Sequence, residues 1–347
     1  MTTIQPHRLF LSNPTGPKSV VILIGDVHAG RTFKTGVPLE RLGEREKSLT
    51  DSLAEALKPI FGEGIRHHFA IMGDLFDKFA VSNETLQVVY NTLYSASFDL
   101  DTLTILSGNH DRNKDKTLVS SFQILKALCS RAPNITFVDG DTPLVTTINN
   151  INHCFFGYHP FVSAKAMAEA LPSLSGISIA YGHWDITAHG EDTHNLIPIE
   201  TLKEKGITSV YTGHIHKHQK LQMSGINVTV VGSMQPYAHG EEAADDPLYQ
   251  TFYADEAKGM LEENPSVFHM TNLRVLLQAD DVWDVDHVDC LSLVFKRIEG
   301  DRAVEDITVG YDDFSSEAIF NKNLTEVSEG LRQHITARIE HYRNLEN

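Results

Sequence analysis

Five short segments of this 347-residue chain place metal-capable side chains directly after a glycine. They are Gly25-Asp26-Val27-His28, Gly73-Asp74-Leu75-Phe76-Asp77, Gly108-Asn109-His110-Asp111, Gly182-His183-Trp184-Asp185 and Gly213-His214-Ile215-His216. In each, an apolar run ends at the glycine, and the polar side chain that follows emerges just past a strand end, into the crevice above a sheet. The glycine permits a sharp turn and a close backbone approach to a ligand. Asp, Asn and His without Cys suit borderline-to-hard divalent cations such as Mn²⁺, Fe²⁺ or Zn²⁺. Seven ligands of these kinds are too many for one six-coordinate ion that must also hold water and substrate. They suit two ions sharing a carboxylate. Two cations roughly 3.5–4 Å apart can clamp a phosphate, activate a water and stabilise a leaving oxygen. One D-x-H alone is commonly accidental; five such segments, each after a strand, are not.

The elements that must position these side chains are legible around them. Ser19–Gly25 is a short continuous apolar run rich in β-branched residues, as in a buried strand. Further strands are expected at His67–Met72, Leu103–Ser107, Ile135–Val138, Leu144–Ile148, His153–Gly157, Ile177–Tyr181, Ser209–Thr212 and Val228–Val231. Helical spacing runs through Arg45–Leu57, Glu84–Tyr94, Phe122–Cys129 and Ser163–Leu171. The alternation predicts a layered α/β architecture with its site on the loops at the strand ends. The texture changes after residue 278. Five aspartates fall between 280 and 289, a strand-like Leu291–Ile298 follows, and an apolar seam runs Leu324, Val327, Leu331, Ile335, Ile339, Tyr342. Residues 1–278 therefore read as the main domain and 279–347 as a small C-terminal α/β appendage. The seam must be buried, either on its own appendage or against a partner.

Composition narrows the classes. Hydrophobic residues make up 41% and charged residues 22%, enough to build a full core. No apolar run approaches a membrane helix, and the N-terminus lacks a secretory h-region. The three scattered cysteines, Cys129, Cys154 and Cys290, fit a reduced, cytoplasmic protein. The net charge of −17 repels polyanions overall, so any nucleic-acid contact must be local. Yet basic residues follow the motifs: Arg31 and Lys34, Lys78, Arg112, Lys114 and Lys116, then Lys217 and Lys220. That clustering suggests an anionic substrate larger than one phosphate, with Arg31, Lys78, Arg112 and Lys217 as the candidate contacts. The Asp-rich 280–289 run should not touch DNA. His67, His68, His153, His269, His334 and His341 read as core or surface residues. His189, His194, His218 and His239 lie near the motifs but are not expected as ligands. No G-x-x-x-x-G-K-[ST] segment occurs, so ATP hydrolysis is not expected of this chain.

These motifs resemble the calcineurin-like metallophosphoesterases over residues 19–255. Within that family the chain is most similar to SbcD-type DNA repair nuclease subunits of bacteria and phages. The form of Gly73-Asp74-Leu75-Phe76-Asp77, the run Gly213-His214-Ile215-His216-Lys217-His218-Gln219, and Gly232-Ser233-Met234-Gln235-Pro236 trailed by Glu241-Glu242 carry that likeness. The resemblance implies an α/β/β/α sandwich. It implies that Asp26, His28 and His216 hold a first divalent ion, and Asn109, His183 and His214 a second, with Asp74 bridging. Mn²⁺ is the foremost ion, with Fe²⁺, Zn²⁺ or Mg²⁺ as others. His110 would contact the phosphate or protonate the leaving oxygen, Asp111 would orient His110 or its loop, and Asp77, where relatives often carry His, would have a supporting role. The implied function is a DNA exonuclease or endonuclease acting as a homodimer with a separate SbcC-type ATPase, to which the C-terminal seam could dock. The alternative is a small-molecule phosphodiesterase or phosphomonoesterase on the same scaffold. A protein phosphatase fits less well, because no D-R-G follows Asp74 and the third motif ends in Asp. A non-catalytic scaffold conflicts with the full ligand set.

Overall fold

The computed structural model describes residues 7–11, 18–59, 64–115, 117–132, 134–188, 190, 192–243 and 246–298. A first sheet of five strands has the order β1-β2-β3-β4-β5: β1 (His7–Leu11), β2 (Lys18–Ile24), β3 (Ile65–Ile71), β4 (Thr102–Leu106) and β5 (Ile135–Val138). β1 is antiparallel to β2, and β2 to β5 are parallel neighbours. A second sheet has the order β10-β11-β9-β8-β7-β6: β6 (Leu144–Ile148), β7 (Ile151–Phe155), β8 (Ser178–Gly182), β9 (Ser209–Thr212), β10 (Gln219–Met223) and β11 (Ile226–Val230). Its β7, β8, β9 and β11 run parallel.

Side-chain alternation explains the layers. Val20, Ile22 and Ile24 of β2 face outward and pack on α1 (Glu44–Ala56), α2 (Asn83–Ala96) and α3 (Ser121–Leu128) through Leu49, Leu53, Val89, Leu93, Phe122 and Leu125. Val21 and Leu23 face the other way and meet Phe155, Ile179 and Tyr181 of the second sheet. The far side of that sheet is covered by α4 (Ala164–Ala170) and α5 (Ile199–Glu204) through Met167, Ala168 and Leu202. The result is the expected α/β/β/α sandwich. Because β2 is buried on both faces, its apolar run is continuous rather than alternating. Polar caps start the helices that the periodicity located. Ser82 accepts from the Thr85 amide, Ser163 accepts from the Ala166 amide, and Ser120 forms a reciprocal capping box with Gln123.

A third, parallel sheet has the order β12-β13-β14: β12 (Tyr249–Tyr253), β13 (Asn272–Leu277) and β14 (Ser292–Arg297), with α6 (Ala254–Glu263) packed on it. It crosses residue 278, the boundary expected from sequence, because β14 pairs with β13 in register from Asn272↔Ser292 to Leu277↔Arg297. The described residues up to Ile298 belong to one compact unit. The Leu324–Tyr342 seam lies outside the described residues. Among those described, no helix is long and apolar enough to cross a membrane.

Candidate metal centre

All five motifs begin where a parallel strand ends. Asp26 and His28 follow β2, Asp74 follows β3, and Asn109 and His110 follow β4. His183 follows β8, and His214 and His216 follow β9. The first three motifs therefore leave one sheet and the last two leave the other, and their side chains converge across the gap between the sheets. Glycine is required here chiefly by space. A Cβ on Gly108 would overlap the carboxyl and amide of Asp74, and one on Gly73 would strike the ring of His183. The glycines thus let the motifs touch each other.

Three of the ligand candidates take left-handed backbone: His28 (φ 49°), Asp74 (φ 44°) and His214 (φ 75°). Such conformations cost non-glycine residues ~1–3 kcal/mol each and persist only when surroundings dictate them. Here the surroundings do. The His28 amide donates to the Asp74 carbonyl (2.8 Å), the Met234 amide donates to the Asp26 carbonyl (2.9 Å), and the His214 amide donates to the Asp26 carboxylate (3.1 Å).

Two groups of ligand atoms form. In the first, His28 Nε2 lies 3.1 Å from His216 Nε2, which is 3.6 Å from Asp26 Oδ2. In the second, His183 Nε2 lies 3.3 Å from Asp74 Oδ2, 3.0 Å from Asn109 Oδ1 and 3.3 Å from His214 Nδ1. Asp74 Oδ2 also stands 3.7 Å from His28 Nε2, between the groups, where a bridging carboxylate belongs. The structure therefore brings together all seven ligand candidates.

The outer nitrogens decide what the inner ones present. His183 Nδ1 donates to the Met72 carbonyl (3.0 Å), His214 Nε2 donates to Asp185 (2.8 Å), and His216 Nδ1 donates to Glu241 (3.0 Å). Each of these rings, as a neutral imidazole, turns a bare lone pair inward. His183 Nε2, His214 Nδ1, Asn109 Oδ1 and Asp74 Oδ2 then form a nest of acceptors with no proton among them, a donor set that calls for a cation. Without one, a proton is drawn in instead. Burial alone would lower the His183 pKa, but the carboxylates of Asp74 and Asp26 push it up to about 10. Burial would raise Asp74, yet His183, His28 and His110 hold it far below the usual carboxylate range. The residues fit divalent metal.

His110 sits beside the ligands. Its Nδ1 bonds the Asp77 carbonyl (2.7 Å), its amide donates to Asp74 Oδ1 (2.9 Å), and its Nε2 is 4.0 Å from Asp74 Oδ2. Its ring is 44% exposed, against 1% and 0% for the side chains of His28 and His183, so a substrate can reach it. Asp111 is wholly buried and accepts from the amides of Leu75, Phe76 and Gly108, tying the second motif to the third. Burial and the Asp74 charge push its pKa up to about 8, against the pull of those three amides. It fixes the loop of His110 and does not reach the ring. Asp77 approaches His28 Nδ1 (3.5 Å) and Arg31 (3.8 Å).

Among the candidate substrate contacts, Arg31 lies at the centre, its guanidinium 5.0 Å above the Tyr237 ring. Lys78 and Lys217 are exposed on the motif loops. Arg112 is turned away to Asp139 (3.0 Å), which it shares with Lys126. His194 donates to the His159 carbonyl, His239 packs edge-on against Tyr249, and His218 is exposed. His189 lies outside the described residues. Sequence reasoning missed Tyr237 and the outer-shell role of Glu241. The second had a signal, an acidic pair behind the Gly232-Ser233 segment; the first had none.

A family model for calcineurin-like phosphoesterases matches residues 19–218. The chain belongs to that family. Phosphoester hydrolysis with divalent metal is accordingly its chemistry. Among solved structures, the chain is similar to the phosphopantetheinyl hydrolase PptH of Mycobacterium tuberculosis (12% identity, TM-score 0.40, covering 64% of this chain and 95% of that one). It is also similar to the protein TT1561 of Thermus thermophilus (12% identity, TM-score 0.39, covering 62% and 89%). No curated protein matches it.

Proposed function

We propose that this phosphoesterase is a two-metal phosphodiester hydrolase of DNA, a nuclease subunit of the SbcD type that works as a homodimer with an SbcC-type ATPase. The observation that carries the reading is the placement of cations. In a chain of net charge −17, Arg31, Lys78 and Lys217 sit on the same loops as the ligands. A basic rim on an acidic protein favours a polyanion held along its backbone over a small monoester. The three cysteines are free and buried, which fits a reducing cytoplasm.

When bound, two divalent cations, Mn²⁺ foremost, supply charge to hold the scissile phosphate and to lower the pKa of a water. The chain's own residues do the rest. Arg31 binds a non-bridging phosphate oxygen or the neighbouring phosphate. His110, its Nδ1–H donating to the Asp77 carbonyl, turns Nε2 toward the phosphate; as the imidazolium it gives the Nε2 proton to the leaving oxygen and is left as the neutral ring with Nδ1–H still bonded.

The test is purified protein with Mn²⁺ on linear duplex DNA and on bis-p-nitrophenyl phosphate. Release of nucleotides or nicks from DNA, lost in Asp74→Asn, supports the nuclease. Turnover of the small diester with inert DNA, in the presence and absence of an ATPase partner, makes the chain a small-molecule phosphodiesterase instead. Light scattering reads the expected dimer.

A further inference from the structure

We propose that Tyr237 is a positioning residue for the first metal site, holding Asp26, His28 and His216 in ligating geometry. The proposal rests on the two-metal reading of the centre. Tyr237 is buried (4% exposed) and belongs to none of the five motifs, yet it meets every part of that site. Its hydroxyl lies 2.8 Å from the Asp26 carbonyl and 2.7 Å from the Val27 carbonyl, so its proton is shared between two successive peptide oxygens of the first ligand loop. Its ring stands edge-on to His28 (5.3 Å) and to His216 (5.4 Å), interplanar angles 83° and 74°. Its amide donates to Glu241 Oε2 (2.8 Å), while Glu241 Oε1 accepts from His216 Nδ1 (3.0 Å).

One residue therefore grips the backbone of Asp26, walls two ligand rings and anchors the carboxylate that orients the second of them. His28 needs such a wall more than its neighbours do. Its outer nitrogen, Nδ1, is buried without a hydrogen bond, and the nearest carboxylate, Asp77, stands 3.5 Å away. The three other histidines are each fixed by an acceptor at 3.0 Å or less. Ring packing has to replace the missing bond. Nothing comparable from Tyr237 reaches Asn109, His183 or His214, so the effect should be confined to one ion.

The full-length protein, stripped with a chelator, is titrated with Co²⁺ and followed by visible absorption and calorimetry. Wild type takes up two ions. Tyr237→Phe keeps the ring and removes the hydroxyl, and should weaken one binding step about tenfold while leaving the other unchanged. Tyr237→Leu removes the ring as well and should weaken the same step toward a hundredfold, the range seen when partners of metal ligands are lost. Turnover of bis-p-nitrophenyl phosphate by Tyr237→Phe should fall at limiting Co²⁺ and recover at saturating Co²⁺ with KM unchanged, which a merely structural residue would not show. Wild-type affinities at both steps in Tyr237→Phe overturn the proposal, as do two steps weakening in parallel with melting temperature. If Tyr237→Leu does not fold, Tyr237→Phe decides alone. A wild type that binds fewer than two ions fails the two-metal reading itself, not the role of Tyr237.

Discussion

The two groups of ligand candidates are each built from two histidines and an Asp or Asn, with Asp74 between them, but they are held in different ways. The second site is held by its own motifs. The acceptor for His183 is the carbonyl of Met72, next to Gly73, and the acceptor for His214 is Asp185, two residues past His183. The first site is held from outside. The segment from Ser233 to Glu241 pairs with Asp26, donates the Met234 amide to its carbonyl, inserts Tyr237 and brings Glu241 to His216. The difference teaches that a short motif can specify ligands without specifying their support. On the proposed two-metal reading, the ions should respond separately to changes in their outer partners, and together only to changes in what they share.

Asp74 is what they share, and Asp74→Asn should erase the distinction. Removing the one carboxylate that stands between His28 and His183 increases repulsion between the cations and weakens both sites. Activity should fall further than in Asp26→Asn or His214→Ala, beyond the ~10²-fold typical of outer-partner changes. Elemental analysis should give well under two ions per chain. Two tightly held ions with near-normal turnover would remove Asp74 from the bridge.

His110 belongs to neither site by this reading, although its ring nitrogen lies within ligand reach of His28 and Asp74. His110→Ala should lose ~10²–10⁴-fold in kcat while both ions remain. Loss of an ion would make it a ligand and add it to the comparison. Smaller and more selective effects separate the outer partners. Asp185→Asn should cost the second ion, and Glu241→Gln the first, ~10–100-fold in affinity. Each leaves the other binding step intact, which paired Co²⁺ titrations of the two variants would read.

The same contrast explains what could be read from the sequence. Strand-Gly-ligand segments are local, so the layered α/β architecture was legible, as were the seven ligand candidates that the structure brings together and Asp185 as a residue inside a motif. Glu241 lies 25 positions beyond His216 and Tyr237 lies 211 beyond Asp26, and no periodicity connects them. The elements that escaped notice are those with weak patterns. β10 (Gln219–Met223) is mostly polar, and α5 (Ile199–Glu204) has six residues and no side-chain cap. β12 and β13 sit in the small third sheet, where β12 is fully buried only at Tyr249 and the apolar run of β13 is interrupted by Arg274. Arg112 reads as basic beside a motif, but only the fold could show that Asp139 claims it.

The smallest expected effect concerns stability without metal, and it tests whether the second site is the more electrostatically loaded. His183 is buried, and Asp74 and Asp26 raise its folded pKa to about 10 from an unfolded value near 6.5. A group with a raised folded pKa stabilises fully below its unfolded pKa, and that stability is lost as pH rises through the folded value. The metal-free protein should therefore lose stability progressively as pH rises from 6.5 toward 10. Urea midpoints across that range read the loss. Filling the sites removes it, because a cation supplies the charge that the proton supplied and the ring stays neutral throughout. In His183→Gln the metal-free slope should shrink, whereas in His216→Gln, whose ring faces one buried carboxylate and a partly exposed glutamate, most of it should remain. Equal slopes in the two variants would mean that the sites share the load evenly, and that the asymmetry lies only in their scaffolding.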